Sequence, residues 1–105
     1  TALGLQVHIT EMDVGLPLDA KGALMDQADF VRQADIYRFV ATACLQQPGC
    51  TGFQTWGFTD KYSWIPGYTK GRKGAGLLFD QDYHPKPVYR ALLGVFSERR
   101  VKGRR

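Results

Sequence analysis

Two carboxylates and two tryptophans stand at spacings suited to work on a sugar. Glu11 and Asp13 are two residues apart, at the end of the alternating run Leu5-Gln6-Val7-His8-Ile9-Thr10. A strand points successive side chains to opposite faces, so Leu5, Val7, Ile9, Glu11 and Asp13 are expected on one side. Three apolar residues followed by two acids on one face describe a strand that leaves a core and ends in a polar site; the bland alternative is a solvated strand end. Trp56 and Trp64 lie further along. Sugar rings offer flat C–H faces that stack on aromatic rings, and hydroxyl edges that suit charged groups and the indole N–H.

A carboxylate can attack the anomeric carbon of a sugar and form a glycosyl-enzyme intermediate. In retaining enzymes the partner acid faces it, with the carboxyl groups about 5–5.5 Å apart. Asp13 is a poor partner. Positions two apart on a strand project the same way, roughly 6–7 Å apart along it, so both acids would approach one side of the substrate. Asp13 is better read as a group that orients and polarises the site. No general acid/base is evident among these residues.

The elements that would position these groups follow in order. Residues 5–14 read as a strand, broken at Gly15-Leu16-Pro17-Leu18-Asp19. Asp26 is an expected helix cap, with Asp29 near the positive end of the dipole. Phe30, Ala34, Tyr37, Ala41 and Cys44 recur at steps of three and four and make one apolar helical stripe, ended by Gln47-Pro48-Gly49. Residues 51–58 are aromatic and β-branched and read as a second strand. Strand, helix, strand is a βαβ unit, with parallel strands and sites at their carboxyl ends. Glu11 and Trp56 both come late in their strands and are expected on one face. A long loop, 59–75, carries Lys61 and Trp64. A loop of this length at a strand end is usually functional. Its glycines lack the Lys-Ser/Thr of a phosphate loop. Pro87 is placed for a first helical turn, and Val88, Ala91, Leu92, Val95 and Phe96 form a second buried stripe.

The composition allows one small domain of 105 residues. No run is apolar enough to cross a membrane, and no signal peptide is evident. The net charge of +4 resides in residues 98–105, where Arg99, Arg100, Lys102, Arg104 and Arg105 outnumber Glu98. The body, residues 1–97, is balanced. That is weak support for nucleic-acid binding, and residues 98–105 are expected to be a disordered basic tail. Cys44 and Cys50 flank Pro48-Gly49; they are either a small disulfide loop or two thiols. Neither His8 nor His84 sits in a ligand-spaced motif, so no metal is expected.

The run Ile9-Thr10-Glu11-Met12-Asp13-Val14 resembles the seventh-strand signature of family 10 glycoside hydrolases, the endo-β-1,4-xylanases. Ala43-Cys44, Cys50, Gly52 and Trp56-Gly57-Phe58-Thr59-Asp60-Lys61-Tyr62-Ser63-Trp64 resemble its eighth-strand region. Leu77-Leu78-Phe79-Asp80 and Tyr83-His84-Pro85-Lys86-Pro87-Val88-Tyr89 resemble its final loop and last helix. Order and spacing agree over roughly residues 3–96.

The resemblance implies that Glu11 is the nucleophile of a retaining mechanism and Asp13 part of its supporting network. It implies that Trp56 and Trp64, with Lys61 beside them, line the sugar site, and that Cys44 and Cys50 form a disulfide, which fits secretion of the full-length parent. Xylan is the implied substrate, with no cofactor, nucleic acid or membrane partner. Met12 stands where Leu is usual, and Gly76 where Pro is frequent. The implied fold is α/β, a fragment of a (β/α)8 barrel holding its last two strand–helix units. Such barrels need about 200 residues or more. The implied general acid/base lies on an earlier strand, so the N-terminal barrel portion is required and the isolated chain is expected to be inactive. The alternative is a non-catalytic carbohydrate-binding module that uses the tryptophans as a platform. Such modules are mostly β-sandwiches, and two helical stripes argue against one.

Overall fold

The computed structural model describes residues 4–103, with side chains through Ser97. Strand β1 (Val7–Met12) pairs in parallel with β3 (Cys50–Thr55), and helix α1 (Asp29–Gln46) connects them. This is the expected βαβ unit. Helix α3 (Pro87–Gly103) follows. It continues past residue 97 into the segment read as a basic tail, as far as Gly103, so no helix break marks that boundary.

The two apolar stripes meet as their spacing requires, except that Phe96, read as part of the second buried stripe, is exposed at the rim of this packing. Ala34, Tyr37 and Ala41 of α1 are buried against Val88, Ala91 and Leu92 of α3, and Met12, Val14, Phe53, Leu78 and Val95 pack on this core. Gln33 is also buried, a position the apolar pattern does not announce. Asp26 is not the N-cap. Its carboxylate accepts the backbone N–H of Ala28 at 2.9 Å, in a turn that precedes the helix, and Ala28 caps it without a side-chain bond.

The segments read as loops hold more order than their composition suggests. Leu16–Pro17 (β2) pairs antiparallel with Lys73–Gly74 (β4). A 3₁₀ turn, Asp60–Tyr62, and a short helix α2, Ile65–Tyr68, lie between β3 and β4. Two-residue strands carry too few residues for a period-two pattern, and Pro17 and Gly74 read as breakers.

The main sheet has only the order β1-β3, so each strand keeps one unpaired edge among the described residues. Val31, Ile36 and Phe39 of α1 and Leu93 of α3 are exposed. The radius of gyration is 15.1 Å, against about 13 Å for a self-contained domain of 100 residues. Open edges and exposed apolar side chains are what a piece of a larger packed unit presents.

Candidate active site

The strand that carries Glu11 and Asp13 does not alternate simply. Pairing steps from Ile9 opposite Phe53 to Met12 opposite Thr55, so β1 holds one extra residue between them. Burial follows: Ile9 and Met12, three apart, are the two half-buried positions of β1. A bulge of this kind changes which face later side chains take, and such bulges often sit beside active sites. Met12 and Val14 lie on the helix-packed face. Glu11 and Asp13 are therefore turned to the other face, away from the side of Ile9. The single shared face expected from the sequence is corrected here; the extra residue reverses the alternation before Glu11.

The end of β3 comes to the same place. The backbone N–H of Trp56 donates to Met12 O at 3.0 Å, setting Trp56 beside the residue between the two acids. Trp56 lies just past the last strand residue, Thr55. Gly57 follows with φ +105°, a conformation that admits glycine and strains other residues, and it turns the chain away. Trp56 and Trp64 are both about half exposed, at 51% and 48%, so neither is a core residue.

Trp64 reaches back across the chain: its Nε1 donates to Asp13 Oδ2 at 2.7 Å. The indole also lies against Tyr68, with ring centroids 5.1 Å apart. Asp13 is thus engaged with the tryptophan loop. Glu11 is exposed, and among the described residues no hydrogen bond or ion pair holds it. The structure brings together Glu11, Asp13, Trp56 and Trp64. Lys61 is placed differently. Its ammonium lies over the rings of Tyr62 and Tyr83, at 5.5 and 5.7 Å, and it makes no ion pair with either acid among the described residues.

Behind the site lies a buried polar cluster that the sequence reading missed. Lys86 Nζ donates to Asp60 Oδ2 at 2.9 Å, with both side chains almost fully buried. Burial lowers the Lys86 pKa, against the raising effect of Asp60, and raises that of Asp60, against the lowering effect of Lys86. Tyr37 donates to Gly76 O at 2.6 Å. Burial, then the charges of Asp13 and Asp60, push its phenol well above the usual tyrosine range. The signal available in the sequence was Lys86 between two prolines, ahead of an apolar stripe.

Cys44 and Cys50 are joined in a disulfide, with Cα atoms 5.2 Å apart. It links the end of α1 to the start of β3, at the opposite end of β3 from Trp56. Asp80, Asp82 and His84 bring ligand-type atoms within 4.8 Å of one another, but Asp80 Oδ1 already accepts the backbone N–H groups of Asp82 and His84.

Comparison with known proteins gives these features a family. The model of glycosyl hydrolase family 10 matches residues 1–95. Endo-1,4-beta-xylanase B of Thermotoga neapolitana is 45% identical over 97 residues, which are 92% of this chain and 27% of that protein. Endo-1,4-beta-xylanase D of Talaromyces funiculosus is 42% identical over 93 residues. Among solved structures, native xylanase 10B from Thermotoga maritima matches with a TM-score of 0.83 and 44% identity, covering 93% of this chain and 29% of that one. Xylanase 10B from Thermotoga petrophila, solved in complex with xylobiose, gives 0.84 and 45%, covering 93% and 28%. The chain thus spans less than a third of the relatives it matches, and the expected fold class, a piece of a (β/α)8 barrel, agrees with these likenesses. The chain belongs to glycosyl hydrolase family 10, as a fragment of its larger domain.

Proposed function

We propose that these residues are the last two strand–helix units of a retaining endo-1,4-β-xylanase barrel. They carry the nucleophile, Glu11, while the general acid/base comes from the rest of the protein. The observation that carries this reading is the Trp64–Asp13 hydrogen bond of 2.7 Å. It joins the acid-bearing strand end to the tryptophan loop and leaves Glu11 as the uncommitted carboxylate of the pair.

In this mechanism the Glu11 carboxylate attacks the anomeric carbon of a xylosyl unit from the face opposite the scissile bond. The C–O bond breaks as the acid/base protonates the leaving oxygen. The resulting glycosyl ester of Glu11 is then hydrolysed by a water that the same acid/base deprotonates. Asp13 holds the Trp64 indole and adds negative charge beside the developing oxocarbenium. Trp56 and Trp64 offer stacking faces to the sugar. Lys61, over the rings of Tyr62 and Tyr83, is the further substrate contact in this reading.

The remainder of the barrel is expected against the open edges of the sheet. A groove of about 720 Å3 runs between β3 and α3, lined by Phe53, Trp56, Leu78, Tyr89, Leu92 and Phe96 among others. Its apolar lining suits packing by further barrel elements. The disulfide supports secretion of the full-length protein, since such bonds persist in oxidising compartments.

Glu11→Ala in the full-length protein tests the assignment. Hydrolysis of an activated aryl xylobioside is expected to collapse, and azide to restore turnover by attacking from the vacated side, giving a glycosyl azide of inverted configuration. Unchanged turnover without azide would remove Glu11 from the role.

A further inference from the structure

Lys86 closes the loop that carries Trp64. Its ammonium donates to Asp60 Oδ2 at 2.9 Å and to the carbonyls of Ala75 and Leu77, each at 2.7 Å. Three donors meet three acceptors, which is all an ammonium can do. Asp60 opens the loop, and residues 75–77 end it. Asp60 Oδ1 also accepts the backbone N–H of Leu77 at 2.9 Å, so the loop's two ends are bonded through one buried ion pair.

The same short strap, 75–77, is gripped from α1. Gln33 Nε2 donates to Ala75 O at 2.6 Å and to Val14 O at 2.9 Å. Tyr37 donates to Gly76 O, which also accepts the backbone N–H of Val14 at 3.1 Å. Val14 directly follows Asp13. On the other side, a Cβ at Gly76 would lie 2.6 Å from Ile65 Cδ1 and 3.4 Å from Gly15 N, and Ile65 directly follows Trp64. The backbone just beyond Asp13 and the side chain of Ile65, just beyond Trp64, therefore both seat on Gly76.

The pair is poorly suited to a purely stabilising role. Burial pushes the Lys86 pKa down and the Asp60 pKa up, each opposed by its partner's charge and hydrogen bond. Buried pairs of this kind often add nothing over apolar residues of similar volume. Their gain is in geometry, because a charged, fully bonded ammonium fixes the three groups around it.

We infer that Lys86 is a positioning residue: through Asp60 and the strap 75–77 it sets the approach of the Trp64 indole to the Asp13 carboxylate, and with it the shape of the sugar site. The role of that site rests on the function proposed above; the geometry stands apart from it.

The test uses the full-length protein with 15N-labelled tryptophan. The Trp64 indole N–H, assigned with Trp64→Phe, is expected far downfield through its bond to a carboxylate and is expected to move upfield in Asp13→Ala. In Lys86→Met/Asp60→Leu, which leaves no orphaned charge, the resonance is expected to move to the Asp13→Ala position, with kcat/KM down by about tenfold or more. Lys86→Arg, which keeps the charge, is expected to restore the signal in part. A downfield resonance retained in the double variant would overturn the inference. Failure of the double variant to fold would overturn it equally, since Lys86 would then serve stability. The resonance is read without turnover, so this outcome is separable from any failure of Glu11 as nucleophile.

Discussion

The indole N–H of Trp64 is bonded to Asp13 at 2.7 Å, across 51 residues of chain. A carboxylate two residues from Glu11 is thereby engaged before any sugar arrives. The bond holds the Trp64 indole and commits one oxygen of Asp13 to the loop. Two acids of similar type thus take unequal parts through their surroundings.

That bond predicts coupling. Asp13→Ala and Trp64→Phe in the full-length protein are each expected to lower kcat/KM, and the double variant to lose less than the two together. Hydrogen bonds to charged groups contribute about 1.5–3 kcal/mol. Trp64 is half exposed, so the lower end applies, on the order of tenfold in coupling. A double-mutant cycle on xylo-oligosaccharide hydrolysis checks this, and strictly additive losses would show that the bond has no functional weight.

Tyr37 predicts a particular alkaline behaviour. Its folded pKa is raised above the ordinary value of 10.0 by burial, then by Asp13 and Asp60. The folded state keeps the proton after the unfolded state has lost it. The stability that this protonated phenol contributes is therefore fully present below pH 10 and declines as pH rises from there toward the raised folded value. Tyr37→Phe is expected to cost about 1 kcal/mol at neutral pH, and the gap to wild type to narrow above pH 10. Denaturant melts from pH 7 to 11 measure it; a gap that widens would contradict the sign.

The helical stripes and the order of β1, α1, β3 and α3 were legible in the sequence because periodicity and breakers are local signals. The bulge before Glu11 was not. A one-residue insertion depends on the partner strand, and only the offset between Ile9–Phe53 and Met12–Thr55 reveals it. The β2–β4 pair was hidden by its shortness and by Pro17 and Gly74. Gln33, Asp60 and Lys86 were passed over because polar residues in a helix or loop are solvated by default. Their burial comes from three distant segments converging on residues 75–77. The acids and tryptophans were visible as types, but the bond between Asp13 and Trp64 was not.

The Cys44–Cys50 bond spans six positions at the far end of β3 from Trp56. A loop this short stabilises by about 2 kcal/mol in the chain-entropy picture. Cys44→Ala/Cys50→Ala is expected to lower the melting temperature of the full-length protein and leave KM and kcat at moderate temperature unchanged. A changed KM would place the disulfide in communication with the sugar site.

The 105-residue chain by itself is expected to hydrolyse no xylan and to self-associate. Among the described residues its main sheet has two open strand edges and Val31, Ile36, Phe39 and Leu93 are exposed, and its acid/base is proposed to lie elsewhere. A reducing-sugar assay together with sedimentation checks both. Hydrolysis by a monomer of these residues alone would contradict the fragment reading.

The most direct measurement is to trap the intermediate. An activated 2-deoxy-2-fluoro-xylobioside slows both glycosylation and its reversal, while its good leaving group lets the first step proceed. The full-length protein, inactivated with this reagent and digested, is expected to carry one fluoro-xylobiosyl group, as an ester on Glu11. A label on Asp13, or on a carboxylate outside this chain, would contradict the proposal that Glu11 is the nucleophile.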